Sequence, residues 1–322
     1  MSENNPKIPE GLASVTIDHS MDAFPASFTE AYELMNDSIA SERAEFGPTL
    51  QREHLEVSRY AIWATANTAL SRATAGSTNK AIILGAGGCF DIPVEEIVTE
   101  FDATTLVDID TQHTERALSD LPARLLGKVS LVKADITGGV AEFAEALKVV
   151  DEESSYERFV EAAVNVVNGI NFANNFGIGG EYSFVCSQLL MTQLSSIPII
   201  KFENRIHEKY GRSVTRQPNP TDLPLALALN DFNLRNQAGH ISHLARLTRN
   251  TGTVHFADTI AAVKEGRVLP MVTGRPFKEM SRYFVDLARP AIWQWQCTPE
   301  RAFCVSAKSL APKTPTSFAV YP

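Results

Sequence analysis

The chain has 322 residues, enough to bury a full core in one large domain or two small ones. Its net charge of −9 and isoelectric point near 5.4 argue against a nucleic-acid backbone as main partner, though not against a local basic patch. The four cysteines (Cys89, Cys186, Cys297 and Cys304) lack CxxC spacing, and no apolar run is long enough for a signal core or a bilayer span, so a cytosolic protein with reduced thiols is expected.

Residues 1 to about 26 show no period and read as a loosely held arm. Ser27-Phe28-Thr29-Glu30 matches a capping box, and Phe28, Ala31, Met35 and Ile39 give the following helix one apolar stripe, to about Ala44. Gly47-Pro48-Thr49 breaks it. A second helix carries Leu55, Ile62, Trp63, Ala66 and Leu70 and ends near Gly76. These helices precede the sheet and contribute no strand; they either pack outside it or roof a pocket.

Strand and helix then alternate. Strands are expected at 81–84, 104–109, 129–134, 182–186 and 253–257. Helices are expected at 93–101, 111–121, around 140–149, from Tyr156, at 188–196, at 199–210 and over about 223–249. Ala291–Cys297 and Phe303–Ala307 alternate about the turn Thr298-Pro299-Glu300-Arg301, which reads as an antiparallel hairpin. The fold class is therefore α/β: a doubly wound, mostly parallel sheet of about seven strands with an antiparallel C-terminal hairpin, preceded by a helical extension. The expected division is an arm and helical cap over 1–77, a main domain over 78–310 with helical insertions at about 137–181 and 199–250 over the pocket, and a tail from 311.

The chain is organised around Lys80-Ala81-Ile82-Ile83-Leu84-Gly85-Ala86-Gly87-Gly88-Cys89-Phe90-Asp91-Ile92-Pro93, a buried strand, a glycine turn and a helix start. About twenty residues on, Thr105-Leu106-Val107-Asp108 is a second strand ending in an acid, and the third strand ends at Asp135. That layout suits a nucleoside-type ligand, its ribose hydroxyls on the first acid, or else a plain βαβ unit whose glycine turn merely connects elements. With the terminal hairpin, it resembles the class I S-adenosylmethionine-dependent methyltransferases over roughly 78–310. The resemblance implies S-adenosylmethionine as cofactor. It places Gly85, Ala86, Gly87, Gly88 and Cys89 beside the methionine part, Asp108 on the ribose and Ile109 on the adenine. It places Asp135 on the adenine amino group with Ile136 beside the ring, and Ser187 and Gln188 at the pocket floor near the transferred methyl.

The sequence departs from the family pattern in three places. Ile83 stands where an acid is frequent, and Cys89 replaces the third glycine, so the cofactor's ammonium needs another partner, for which Asp91 is the candidate. The fourth strand ends in Cys186-Ser187-Gln188-Leu189 rather than the Asn/Asp-Pro-Pro-aromatic signature, which lowers the case for DNA or protein-glutamine substrates. A nicotinamide-dependent oxidoreductase is disfavoured by bulky Phe90 at a position that needs a small residue.

Other residues carry weaker signals. His240 and His243 share a helix face; the bland reading is structural, the functional one a general base at His240, with His207 as rival. No metal site is expected, since no nearby acid or cysteine completes a ligand set. Asn165, Asn168, Asn171 and Asn174 recur every third residue, as a pocket lining or a solvated helix edge. Trp293 and Trp295 share a strand face and read as core; Arg275 and Arg282 are surface arginines or acceptor contacts. The expected activity is methyl transfer to a small-molecule O or N acceptor in specialised biosynthesis, without nucleic-acid or membrane partners and with the oligomeric state open. The alternative is a non-catalytic, cofactor-binding partner subunit.

Overall fold

The computed structural model describes residues 16–18, 26–137, 143, 148, 152, 155–170, 172, 178–191, 193–215, 219–264, 267–270 and 274–313. In chain order the elements are β1 (Thr16–Asp18), α1 (Ala26–Phe46), α2 (Arg52–Ser71), β2 (Lys80–Leu84), α3 (Val94–Glu100), β3 (Ala103–Asp108), α4 (Thr111–Leu118) and α5 (Ala123–Leu126). There follow β4 (Val129–Lys133), α6 (Tyr156–Gly169), β5 (Tyr182–Gln188), α7 (Ser196–Tyr210), α8 (Leu223–Leu247) and β6 (Thr248–Lys264). The chain then adds β7 (Arg267–Pro270), α9 (Gly274–Tyr283), β8 (Phe284–Asp286), β9 (Ala291–Thr298) and β10 (Arg301–Pro312).

The strands form one sheet in the order β1-β4-β3-β2-β5-β6-β10-β8, with β9 beside β10 and β7 beside β6. β4, β3, β2, β5 and β6 are parallel, and β10 runs antiparallel to both β6 and β9. The expected parallel sheet with its closing hairpin is therefore present, and β1, β7 and β8 add short strands to it. Pleat alternation divides the core. Ala81, Ile83, Phe184 and Cys186 pack with Ile62, Ala66 and Ala69 of α2 and with Ile97 and Phe101. Ile82, Leu84, Val185 and Phe256 face the other way, onto Ile241, Leu244 and Leu247 of α8. This is the two-sided cover that apolar parallel strands require.

Several expectations are corrected. The arm is not wholly loose: Thr16–Asp18 pairs in parallel with Ser130–Val132. α1 begins at Ala26, ahead of Ser27, and runs to Phe46, and α2 stops at Ser71. The helix expected at 188–196 is a turn, because Leu189 adopts φ 53° and cannot continue a helix; α7 starts at Ser196. The fifth long strand is three times its expected length and reaches Lys264. The helix around 140–149, Asn171, Asn174, the side chains of 264–278 and the tail beyond 313 lie largely or wholly outside the described residues. α6, α7 and α8 share a cluster of their own around Phe159, Phe202 and Phe232.

Candidate functional site

The sheet changes direction between β2 and β5: the chain leaves β2 toward β3 and β4, then returns to β5 on the other side. Open α/β sheets bind ligands in the crevice outside the strand ends at such a point. A cleft with about 920 Å³ of space free of protein atoms, mouth included, lies there. Its floor is Gly85–Asp91, Asp108, Ile109, Asp135, Ile136, Thr137 and Gln188. Eleven of the twelve residues expected at the cofactor thus line one cavity.

Short backbone hydrogen bonds fix the floor. Gly85 and Ala86 N–H donate to Val107 O at 2.9 and 3.1 Å, which ties the glycine turn to β3. Gly87 N–H donates to Asp108 Oδ2 at 2.8 Å and Asp110 N–H donates to Asp108 Oδ1 at 2.9 Å. Burial raises the Asp108 pKa to about 6, and those two N–H donors pull against the rise. Each oxygen keeps a lone pair for a further donor, the arrangement a diol needs. Asp135 Oδ1 accepts from Thr137 N–H at 2.8 Å and from the Thr137 hydroxyl.

The described non-glycine residues with positive φ are Cys89 (53°) and Leu189 (53°), and both line the cavity. Such strain costs about 1–2 kcal/mol each and collects at functional sites. The Cys89 thiol is pushed up by burial, with Asp108 and Asp91 adding to it, so it stays neutral and is no thiolate nucleophile.

Ser187 is the expected residue that the cavity does not include. Alternation turns its neighbour Gln188 toward the cleft and Ser187 to the opposite face. There it is fully buried, its hydroxyl 2.9 Å from His240 Nε2. His240 is also fully buried and absent from the cavity lining, and burial, helped by His243, lowers its pKa to about 3. A group so placed cannot take a proton from a ligand in the cleft, which corrects the general-base expectation for His240. His207 lies in the last turn of α7, away from the cleft lining. None of the described residues of α6, α7 or α8 lines the cavity, while Thr137, at the start of the expected 137–181 insertion, does.

The upper wall comes from α1. Tyr32, Met35, Asn36, Ile39 and Arg43 line the cleft from one helix face. Met35 and Ile39 lie on the apolar stripe visible in the sequence, while the polar members of the face gave no signal. α1 is held by polar contacts: Asn36 Nδ2 donates to Asp110 Oδ2 at 2.9 Å, and Glu42 pairs with Arg301. Tyr32 is 7% exposed and its hydroxyl has no hydrogen-bond partner among the described residues. Burial raises its pKa well above the usual tyrosine value, and Asp135 and Asp108 add to the rise. An orphaned phenol beside both floor acids is a donor prepared for a ligand.

Asp91 occupies the remaining corner. Its Oδ2 accepts from Gln188 Nε2 at 3.1 Å, and Gln188 Oε1 meets His255 Nε2 at 3.0 Å. His54 Nε2 lies 3.8 Å from the same carboxylate oxygen. Trp295 stacks on His54 at 4.5 Å and reaches the cleft, whereas Trp293 stays in the core. Among the described residues no cluster of three or more His, Cys, Asp or Glu could hold a metal ion, and no helix is long and apolar enough to cross a membrane.

No family model and no curated protein matches the sequence. Among solved structures the chain is similar to the N-methyltransferase NodS from Bradyrhizobium japonicum WM9, at 10% identity and TM-score 0.39, over 82% of this chain and 97% of that one. It is also similar to a putative RNA methyltransferase, PH1948 from Pyrococcus horikoshii, at 10% identity and TM-score 0.37, over 81% and 84%. A third is the glycopeptide N-methyltransferase MtfA complexed with S-adenosylmethionine, at 10% identity and TM-score 0.32, over 75% and 86%. The fold assignment rests on the strand order and not on these alignments. The fold is Rossmann-like, closed by the antiparallel hairpin expected of a class I methyltransferase.

Proposed function

We propose that this chain binds S-adenosylmethionine in the cleft and transfers its methyl group to a small-molecule O or N acceptor by in-line displacement. The observation that carries the reading is the convergence of the Gly85–Cys89 turn, Asp108 and Asp135 on one cavity at the switch point of the sheet. Asp108 would hold the ribose hydroxyls, Asp135 the adenine amino group, and Ile109 and Ile136 the ring. Tyr32 would give its unpartnered hydroxyl to the same end of the ligand. Asp91 would face the ammonium.

When bound, the cofactor would supply a sulfonium-activated methyl group as the electrophile for the acceptor. The chain's own residues bind, align and exclude water. α1 and the 189–195 turn close over the cleft with Met35, Ile39, Leu190 and Leu194, whose apolar surfaces keep the site dry. The histidines near the site are buried and low in pKa, so the acceptor's proton leaves to solvent or to a group on the acceptor itself. That suits an amine or an acidic hydroxyl.

Calorimetric titration with S-adenosylhomocysteine, and with NAD(H) as control, tests the reading. Micromolar binding of the former alone supports it. Binding of NAD(H) alone overturns it, and an Asp108→Ala variant that keeps full affinity for S-adenosylhomocysteine removes the ribose assignment.

A further inference from the structure

Three buried side chains on one face of α8 carry polar atoms with no hydrogen-bond partner among the described residues. Asn236 is fully buried, and neither its Oδ1 nor its Nδ2 is bonded. Gln237, 2% exposed, leaves Oε1 unbonded, while its Nε2 donates to Asn233 Oδ1 at 3.3 Å. His240, fully buried, meets the Ser187 hydroxyl through Nε2 and leaves Nδ1 unbonded. Spacings of three and four residues put Asn233, Asn236, Gln237 and His240 along one side of the helix. Native structures pair nearly all buried polar groups, so a run of unmade bonds marks a place kept for a ligand.

The row stands directly behind the wall of the cleft. Ser187, which meets His240, precedes Gln188; Ser195, whose hydroxyl donates to Asn233 Oδ1, follows Leu194. Gln188 and Leu194 both line the cleft. The turn between them is the partition, and displacing it opens the row to the cleft. It begins at Leu189, whose left-handed φ of 53° is strain of the kind that collects at ligand clamps and switches.

The row holds no charge, since burial keeps His240 neutral. Asn236 offers a donor and an acceptor together, and Gln237 offers a further acceptor. An amide group matches that set, donor to acceptor and acceptor to donor. A carboxylate would face two carbonyl oxygens, an ammonium would leave the Asn236 donors unmet, and either charge would be buried without a counter-ion. Ile241 and Leu244 pack in one cluster with Met191, Leu194 and Met280, which borders the row with apolar surface.

We propose that Asn236, Gln237 and His240 anchor the methyl acceptor through an uncharged amide carried on an apolar body, leaving its amine or hydroxyl to face the methyl. The proposal rests on the cofactor reading above and adds the acceptor class. His240 serves there as a neutral hydrogen-bonding group and not as a base.

The test uses benzamide as probe, with benzoate and benzylamine as charged counterparts of similar shape, added to the full chain with S-adenosylhomocysteine. Nitrogen-edited NMR reads the side-chain amide signals of Asn236 and Gln237, assigned through Asn236→Leu and Gln237→Leu. Benzamide is expected to shift both signals and to bind at least about tenfold more tightly than either counterpart. Asn236→Leu should weaken benzamide about tenfold and leave affinity for S-adenosylhomocysteine unchanged. Its urea midpoint should hold or rise, since an unpaired buried amide is removed. A lowered midpoint with benzamide binding unchanged assigns the row to the fold and overturns the proposal. So does benzamide that leaves both signals in place, or equal binding of the three probes. Failure of S-adenosylhomocysteine to bind sinks the cofactor reading; the same shifts on the unliganded chain then uphold the amide site without it, and their absence overturns it.

Discussion

Trp293 Nε1–H donates to His54 Nδ1 at 2.9 Å, deep between α2 and β9. The bond fixes the neutral tautomer with its proton on Nε2, on the side of Asp91. Burial lowers the His54 pKa to about 4, although Asp91 opposes the shift. Burial likewise holds His243 and His255 near 4 and His240 near 3. Unfolded histidines titrate near ~6.5, so below that pH the unfolded chain binds more protons than the native one. Stability should therefore fall as pH drops from about 6.5 toward 4, by up to about 1.4 kcal/mol per pH unit for each histidine. Asp108, with its native pKa raised, works in the opposite sense below about 6, one group against four. Urea unfolding at stepped pH measures the slope; a flat profile between pH 7 and 5 would contradict this.

The raised pKa of Asp108 also predicts a pH-dependent affinity. Protonated, the carboxyl loses acceptor capacity that the ribose needs. Affinity for S-adenosylhomocysteine should rise through about pH 6 and level off above it. In Asp108→Asn the rise should vanish, with weaker binding throughout. Titrations from pH 5 to 8 give the comparison.

Tyr32 separates stability from binding. Its hydroxyl is buried with no hydrogen-bond partner among the described residues, so Tyr32→Phe removes an uncompensated polar group. The free protein should be unchanged or more stable by up to about 1 kcal/mol, while affinity for S-adenosylhomocysteine falls about five- to tenfold. A variant that loses stability but not affinity would show that the hydroxyl serves the fold instead.

Two glycines of the turn differ in what surrounds them. A Cβ on Gly87 (φ +47°) would meet nothing within 4 Å, whereas one on Gly85 (φ +69°) would lie 2.8 Å from Leu190 Cδ1. Gly87→Ala should cost only the left-handed backbone strain, about 1–2 kcal/mol. Gly85→Ala should cost more, and Leu190→Ala in the same chain should narrow the gap, which a double-mutant cycle in urea would measure.

The strands, the glycine turn and the acids at strand ends were legible because their signals are local. An apolar run of four to seven residues, a turn residue and a carboxylate at fixed offset need no tertiary knowledge. The 188–196 segment misled because Leu189, Leu190 and Leu194 mimic helical spacing while the backbone of Leu189 turns left-handed. Ser187 could have been excluded from the pocket by pleat alternation, since consecutive strand residues face opposite sides and Gln188 was already assigned there. Tyr32 and Arg43 were beyond reach: their places in the cleft depend on where α1 lands, and nothing in their own neighbourhood encodes it. β1 was missed because three residues, Thr16-Ile17-Asp18, hold no period to read.

That short strand also has a consequence for how copies of the chain meet one another. β4 would otherwise present a row of unpaired backbone donors and acceptors, with Leu131 and Val129 behind them, as a template for a strand from a second molecule. Among the described residues, Thr16–Asp18 occupies that row along Ser130–Val132. A chain trimmed before α1 is therefore expected to keep its cleft but to expose the Ser130–Val132 edge, which added self-association in sedimentation would show.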